Sequence, residues 1–184
     1  VDCNDDAEVA LLGIHPWMHR EIDALVLNHG RYERVAAEDM TIAGLRTTMK
    51  TNFEGAVAVW KAVQPHLTDS ARIVVVGSQL GTRGSPHGAD YSASKAALAM
   101  WARSLAQAVG PQGKRVNILA PGFVDTAILA GDSKQKRAER EQLVPLKRVA
   151  SPEDMAGTIS FLIGPDSSYI TGAIIHVNGG LYLP

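Results

Sequence analysis

Arg72-Ile-Val-Val-Val-Gly77 decides the fold. Four consecutive β-branched residues stand between a basic residue and a glycine, a run too short for a helix and apolar on both sides of a pleat. Three further runs share that character: Ala24-Leu-Val-Leu-Asn28, Arg115-Val-Asn-Ile-Leu119 and Ala173-Ile-Ile-His-Val177. Strands without polar alternation are covered on both faces, as in parallel sheets. Between them, residues 5–20, 42–67, 92–109 and 152–163 carry apolar side chains at helical spacing. Ser151, followed by Pro152, Glu153 and Asp154, has the composition of a helix start. Strand and helix alternate, which predicts an α/β domain with right-handed crossovers and a parallel sheet.

In such a fold, ligands sit beyond the C-terminal ends of the strands. Those ends are Asn28-His-Gly30, Gly77-Ser78, Ala120-Pro-Gly122 and Asn178-Gly-Gly180. The least regular stretch runs from Thr126 to Ala150, and its part from Ala127 to Leu146 is expected to shape the pocket. Within it, Lys134-Gln-Lys-Arg-Ala-Glu-Arg-Glu141 reads first as a solvated helix face and second as a mobile lid. No internal repeat or low-complexity segment is present.

Composition narrows the function. Hydrophobic residues make up 46% and charged residues 20% of the 184, the balance of a protein with a real core. Eighteen basic against nineteen acidic side chains give a net charge of -1, which provides no electrostatic footprint for nucleic acid or an anionic membrane. Cys3 has no partner for an intrachain disulfide, which fits a reducing compartment and points to the cytoplasm. No apolar run reaches the ~18 residues that a bilayer requires. The sequence opens at Val1 and passes straight into Asp-Cys-Asn-Asp-Asp, the pattern of a strand end followed by a helix cap.

Tyr91 and Lys95 lie four apart at the start of an alanine-rich helical stretch, so their side chains leave one face about a turn apart. An ammonium beside a phenol stabilises the phenolate and is expected to draw its pKa down from ~10 towards the range of a general acid or base. Spacing alone is common by chance, and context decides. Gly77-Ser78 closes a strand thirteen residues before Tyr91, and Asn52 lies in the preceding helical segment within Thr51-Asn-Phe-Glu-Gly55.

With Tyr91-Ser-Ala-Ser-Lys95, Asn28-His-Gly30, Pro121-Gly-Phe-Val-Asp-Thr126 and Ile170-Thr-Gly172 leading to Val177-Asn-Gly-Gly180, the chain resembles the short-chain dehydrogenase/reductase family. The tail from Pro145-Leu-Lys-Arg148 through Pro152-Glu-Asp154 to Gly179-Gly-Leu-Tyr182 is most similar to its 3-oxoacyl-carrier-protein reductase type. Single motifs of this kind are weak, but five in order at compatible distances are specific. The resemblance implies a Rossmann-type, doubly wound parallel sheet in a single domain, with residues 1–184 as its C-terminal part, and a cofactor that is NADP or NAD. It implies a small-molecule carbonyl or alcohol substrate and a homo-oligomer, either dimer or tetramer, and the residues themselves offer no ligand set for a metal. It implies that Ser78 holds the substrate oxygen and that Tyr91 exchanges the proton. Lys95 would bind the nicotinamide ribose and lower the tyrosine pKa, and Asn52 would anchor a water relay. Asp2 would reach the adenine, Asn28 and Gly30 would lie along the cofactor, and Pro121, Gly122, Val124 and Thr126 would line the nicotinamide.

Two departures from the family pattern stand out. The opening strand with its glycine-rich Thr-Gly-x-x-x-Gly-x-Gly turn, which lets the cofactor pyrophosphate approach a helix N-terminus, has no match here. The first β-α-β-α-β portion, roughly sixty residues at ~30 per unit, is therefore expected to be missing from this sequence, by omission or by truncation, leaving the strand near Asn28 as an exposed edge. The acidic or basic residue that separates NAD from NADP goes with it. In addition, Leu27-Asn-His-Gly30 puts His29 where the family has a small residue, either tuning cofactor binding or turned towards solvent or hydrogen-bonded in the loop.

Rival readings carry less. Ser92-Ala-Ser-Lys95 matches the Ser-x-x-Lys signature of penicillin-recognising acyl enzymes, but Ser-Asp-Asn and Lys-Thr-Gly elements are missing and Ser78 lies outside Gly-x-Ser-x-Gly. His15 and His19 have zinc-ligand spacing, with Pro16 between them and no adjacent Glu or Cys. Trp17, Trp60 and Trp101 read as core or interface residues. A non-catalytic nucleotide-binding sensor and an inactive fragment of the same fold stand as alternatives to an enzyme.

Overall fold

Ile73 and Val75 are 1% and 0% exposed and face one side of a sheet, while Val74, at 1%, faces the other. The computed structural model describes residues 2–19 and 21–184. Four parallel strands lie in the order β1 (Ile22–Leu27), β2 (Leu67–Val76), β3 (Arg115–Pro121) and β4 (Ile174–Val177). Register runs straight through the centre: Leu25 pairs with Ile73, Ile73 with Val116, and Ile118 with Ile174. The apolar run read from the sequence thus sits at the middle of the sheet, and the α/β, Rossmann-type reading holds.

Helices cover both faces. On one, α3 (Gly55–Val63) and α5 (Ala89–Val109), the latter preceded by the short α4 (Leu80–Arg83), pack Ala56, Val59, Leu98 and Ala102 against Leu27, Ile73, Val75 and Val116. On the other, α7 (Pro152–Ile163) lays Met155 and Leu162 on Val74 and Leu119. This double coverage is why the strands carry no polar alternation. Strand β1 has its outer side unpaired among the described residues, and Val26 is 38% exposed there.

Several boundaries differ from the expectations, among them the start of α5 at Ala89 rather than at residue 92. The stretch 5–20 holds only α1 (Asp6–Leu12), capped by the Asp5 carboxylate accepting from Ala7 N and Glu8 N, and then a 3-10 turn at Pro16–His19. Proline without an N–H cannot extend the helix. The stretch 42–67 is broken: α2 (Ile42–Met49) passes through a π-helical turn at Lys50–Glu54 into α3, and Pro65 closes the run in a 3-10 turn. Leu67 already belongs to β2, which begins five residues before the apolar run. By contrast α7 spans 152–163 as expected, with the Ser151 and Asp154 capping box in place. Residues 134–141 do form a solvated helix, α6 (Lys134–Leu143), with no buried residue.

Trp60 is buried in the core and Trp101 is half-buried against it. The side chains of Trp17 and His19, both singled out in the sequence, fall outside the described residues. Among the described residues no group of three His, Cys, Asp or Glu could hold a metal ion, and no helix is long and apolar enough to cross a membrane.

Candidate active site

The C-terminal ends of β1, β2 and β3 open into a cavity of about 330 Å³. Strand β2 delivers Gly77 and Ser78, β3 delivers Pro121 and Gly122, and the loop after β1 delivers Asn28, Gly30 and Tyr32. The first turns of α5 supply Tyr91 and Lys95. Val124 and Thr126 line it beyond β3, and Met155, Ala156 and Ile159 of α7 form an apolar wall. Of the residues singled out in the sequence, Ser78, Tyr91, Lys95, Asn28, Gly30, Pro121, Gly122, Val124 and Thr126 therefore share one space. Asp2 and Asn52 do not line it.

Helical spacing puts Lys95 one turn below Tyr91, and its ammonium lies 5.8 Å from the centre of the Tyr91 ring. Nζ donates to Val76 O at 2.9 Å, at the last residue of β2. Lys95 is 4% exposed, and burial draws its pKa down to about 8. The ammonium is thus held over the ring face and against a carbonyl. Accordingly, the expected lowering of the Tyr91 pKa is not what this geometry produces: burial pushes the phenol up, and the adjacent Ser78 hydroxyl works in the opposite direction. Ser78 Oγ also accepts from Leu80 N at 3.1 Å, which fixes the hydroxyl at the strand end.

Asn52 is 0% exposed and sits in the π-helical turn. Its Oδ1 accepts from Arg31 N at 2.8 Å, and its Nδ2 donates to Arg31 O at 3.0 Å and to Ser94 Oγ at 3.0 Å. Ser94 in turn donates to Tyr91 O at 2.8 Å. The amide, expected to anchor a water relay, gives both N–H groups to protein atoms and accepts one N–H at its oxygen. What it ties together is the backbone beside Gly30 and the first turn of α5.

Asp2 is exposed, and its carboxylate accepts from Asn4 N at 2.8 Å and Asn4 Nδ2 at 3.0 Å. His29 turns away from the cavity towards Gly55 and Cys3, half-buried, with Nε2 lacking a hydrogen-bond partner. Burial, reinforced by the Lys95 charge, lowers its pKa. Packing in the loop, rather than contact with a ligand in the cavity, is what the geometry gives His29.

Several lining residues were not read from the sequence: Tyr32, Gln79, Phe123, Arg140, Met155 and Ile159. Arg140 was visible only as part of a solvated charged run, yet its guanidinium stacks 4.5 Å from the centre of the Phe123 ring and pairs with Asp132. Helical phase could have flagged Met155 and Ile159, which share a face of α7, whereas the loop position of Tyr32 carries no periodic signal.

The cavity suits the nicotinamide end of a dinucleotide. A Cβ on Gly30 would stand 3.2 Å from Lys95 Nζ and 3.4 Å from Asn52 Oδ1, so only glycine leaves the ammonium reachable from the strand-end loop. Lys95 offers donors for a sugar, and the Val76, Leu119 and Ile159 side chains offer an apolar surface for a ring.

The family described as Enoyl-(Acyl carrier protein) reductase matches residues 4–182. Among curated proteins, the chain is 34% identical to the 3-oxoacyl-[acyl-carrier-protein] reductase FabG of Salmonella typhimurium over 165 residues, 89% of this chain and 68% of that protein. It is 33% identical to the cis-4-hydroxycyclohexanecarboxylate dehydrogenase of Sinomonas cyclohexanicum over 180 residues, 96% of this chain and 72% of that one. Among solved structures, the short-chain dehydrogenase/reductase described as glucose/ribitol dehydrogenase from Brucella melitensis superposes with a TM-score of 0.93 at 30% identity, covering 100% of this chain and 75% of the other. A blue fluorescent protein from a metagenomic library, solved in complex with NADPH, gives 0.90 at 31% identity, covering 99% and 74%.

An α/β sheet with a tyrosine, a lysine and a serine gathered at its strand ends defines a class of nicotinamide-dependent oxidoreductase. The chain belongs to the short-chain dehydrogenase/reductase family and is an NAD(P)-dependent oxidoreductase most similar to the 3-oxoacyl-carrier-protein reductases.

Proposed function

We propose that the protein reduces a ketone or 3-oxoacyl group to the secondary alcohol, or runs the reverse oxidation, with Tyr91 as the general acid and base. The cofactor, when bound, supplies or accepts the hydride. Ser78 donates to the substrate oxygen where negative charge develops, and Tyr91 passes its proton to that oxygen. Lys95 holds the cofactor ribose, with Asn28 and Gly30 along the cofactor and Pro121, Gly122, Val124 and Thr126 beside the nicotinamide. Asp2 reaches towards the adenine. Asn52 acts as a positioning residue through Arg31 and Ser94.

The observation that carries this reading is the convergence of Ser78, Tyr91 and Lys95 on one cavity from β2 and α5. Burial that raises the Tyr91 pKa keeps the phenol protonated at neutral pH, which suits a proton donor in the reductive direction. The apolar wall of Met155, Ala156 and Ile159 suits the hydrocarbon part of a ketone or acyl chain. The same reading places the protein in a reducing compartment, the cytoplasm, in keeping with the free Cys3 thiol. Exposed Met100 on α5 and Phe161 on α7 favour a dimer or tetramer.

The test is absorbance of NADH or NADPH mixed with the protein and a panel of β-keto esters and acyl thioesters. Consumption by the wild type and loss of about 100-fold to 10,000-fold in a folded Tyr91→Phe variant is the expected result. Cofactor binding without consumption of any carbonyl would favour a sensor, and full turnover by Tyr91→Phe would remove Tyr91 from the mechanism.

A further inference from the structure

Tyr32 lies two residues beyond Gly30 and touches Tyr91 directly. The two rings meet edge to face, with centroids 5.0 Å apart and an interplanar angle of 78°. Three independent contacts fix Tyr32 there. Its hydroxyl donates to His87 O at 2.8 Å. Its backbone follows Arg31, whose N–H and C=O are both held by the Asn52 amide. Its ring fills the space over Gly88, where a Cβ would stand 2.8 Å from Tyr32 Cε2 and where φ is +123. Around it, the loop after β1 and the loop before α5 are stitched together by an antiparallel bridge between Ala36 and His87 and by Ala37 N donating to Pro86 O at 3.0 Å.

We propose that Tyr32 is a positioning residue for Tyr91: its clamped ring buttresses the Tyr91 ring and holds the Tyr91 hydroxyl towards Ser78 at the mouth of the cavity. The proposal rests on the reading of Tyr91 as the proton donor. An edge-to-face pair restricts the rotation of both rings, and only an anchored partner can restrict the other. Tyr32 is anchored at its hydroxyl and at its backbone, and the Gly88 notch denies the ring a second seat. Tyr91, on the first turn of α5, has Ser78, Lys95 and Tyr32 as the polar and ionisable groups facing it from β2, α5 and the loop after β1. Removing the Tyr32 ring frees the phenol to swing and uncovers it. Loss of register between a donor and its acceptor costs about 100-fold per ångström of misplacement.

The test uses the full chain with whichever β-keto ester the wild type consumes, and compares Tyr32→Phe, Tyr32→Leu and Gly88→Ala with the wild type and with Tyr91→Phe. The expected result is a fall in kcat of about 10-fold to 100-fold for Tyr32→Leu with KM changed less than about threefold, and for Gly88→Ala the same pattern. Tyr32→Phe keeps the ring and is expected to stay within about fivefold of the wild type. A second readout is independent of turnover: ultraviolet difference titration of the Tyr91 phenolate, isolated by subtracting the Tyr91→Phe trace. Its midpoint is expected to move down in Tyr32→Leu, because the phenol is less covered, and to stay near the wild-type value in Tyr32→Phe.

If Tyr91→Phe abolishes turnover while Tyr32→Leu leaves kcat and the titration midpoint unchanged, the positioning role is overturned. A rise in KM that matches the loss in kcat/KM, with an unmoved midpoint, overturns it too, because Tyr32 would then only line the cavity. If Tyr91→Phe retains turnover, it is the functional reading that fails, and the titration alone decides whether Tyr32 governs the Tyr91 environment.

Discussion

Lys95 Nζ is bonded to the carbonyl oxygen of Val76 at 2.9 Å, so the charged end of the helix α5 residue is tied to the end of the central strand β2. The ammonium is buried, and its pKa falls from 10.5 when free to about 8 in the folded chain. The unfolded chain therefore binds more protons between those two values, and stability rises with pH across that window. Below pH 8 both states are protonated and the full cost of burying the charge is present, on the order of 3 kcal/mol as an upper bound. A Lys95→Met variant lacks this cost. Its stability relative to the wild type is expected to be greater at pH 7 than at pH 10, measured by urea unfolding at both. A difference independent of pH would show that the ammonium is not held at a depressed pKa.

The Tyr91 phenol, pushed above its ordinary value of 10 by burial, stays protonated through the neutral range. Reduction, which needs the acid form, is expected to hold a flat kcat from pH 6 to pH 9. Oxidation, which needs the base, is expected to rise with pH over the same range. Rate profiles in the two directions check this, and an oxidation rate independent of pH would place the proton elsewhere.

Thr48 Oγ1 donates to Asp90 Oδ2 at 2.6 Å, and both side chains are buried between α2 and α5. Replacing Thr48 by Val keeps the shape and removes the donor, leaving a buried carboxylate oxygen without it. A loss of about 1 to 3 kcal/mol in urea unfolding is expected. Loss of less than half of the lower figure would mean that water reaches the carboxylate.

At the start of α7, the Arg148 guanidinium and the Ser151 N–H hold the Asp154 carboxylate well below the usual carboxylate range. A carboxyl with a depressed folded-state pKa stabilises above its unfolded value, near 3.8, and that contribution is lost as pH falls through the lower folded value. Asp154→Asn is expected to lower Tm at pH 6, with the gap to the wild type narrowing steadily below pH 3.8. A gap constant with pH would assign the effect to packing rather than to charge.

The sheet was readable because double coverage leaves its mark residue by residue: Ile73, Val74 and Val75 are apolar in succession since α5 waits on one side and α7 on the other. Ser78, Tyr91 and Lys95 were readable because strand-end and helical spacing bring them to one place. Helix interruptions were less legible. The π-helical turn at Lys50–Glu54 has no composition of its own, and β2 starts at Leu67, which pairs with Ile22 before the register shifts and resumes at Ala24 and Arg72. Tyr32 and Arg140 joined the cavity through contacts distant in sequence, with His87 and Phe123 respectively, which no local pattern encodes. The electrostatics of Lys95 and Tyr91 depended on depth of burial, which spacing in the sequence does not encode.

The widened turn at Lys50–Glu54 carries one residue more than a regular helix would need between α2 and α3. Along the continuous run through that turn, Thr48 faces Asp90, Asn52 faces Arg31, and Val59 and Val63 face the core. Deleting a single amino acid from a regular helix rotates everything before it by about 100° relative to everything after it, whereas this turn can lose its surplus residue and close into ordinary winding with little rotation. A one-residue change of length is therefore better absorbed within these five positions than within the regular helices α2 and α3 on either side of them.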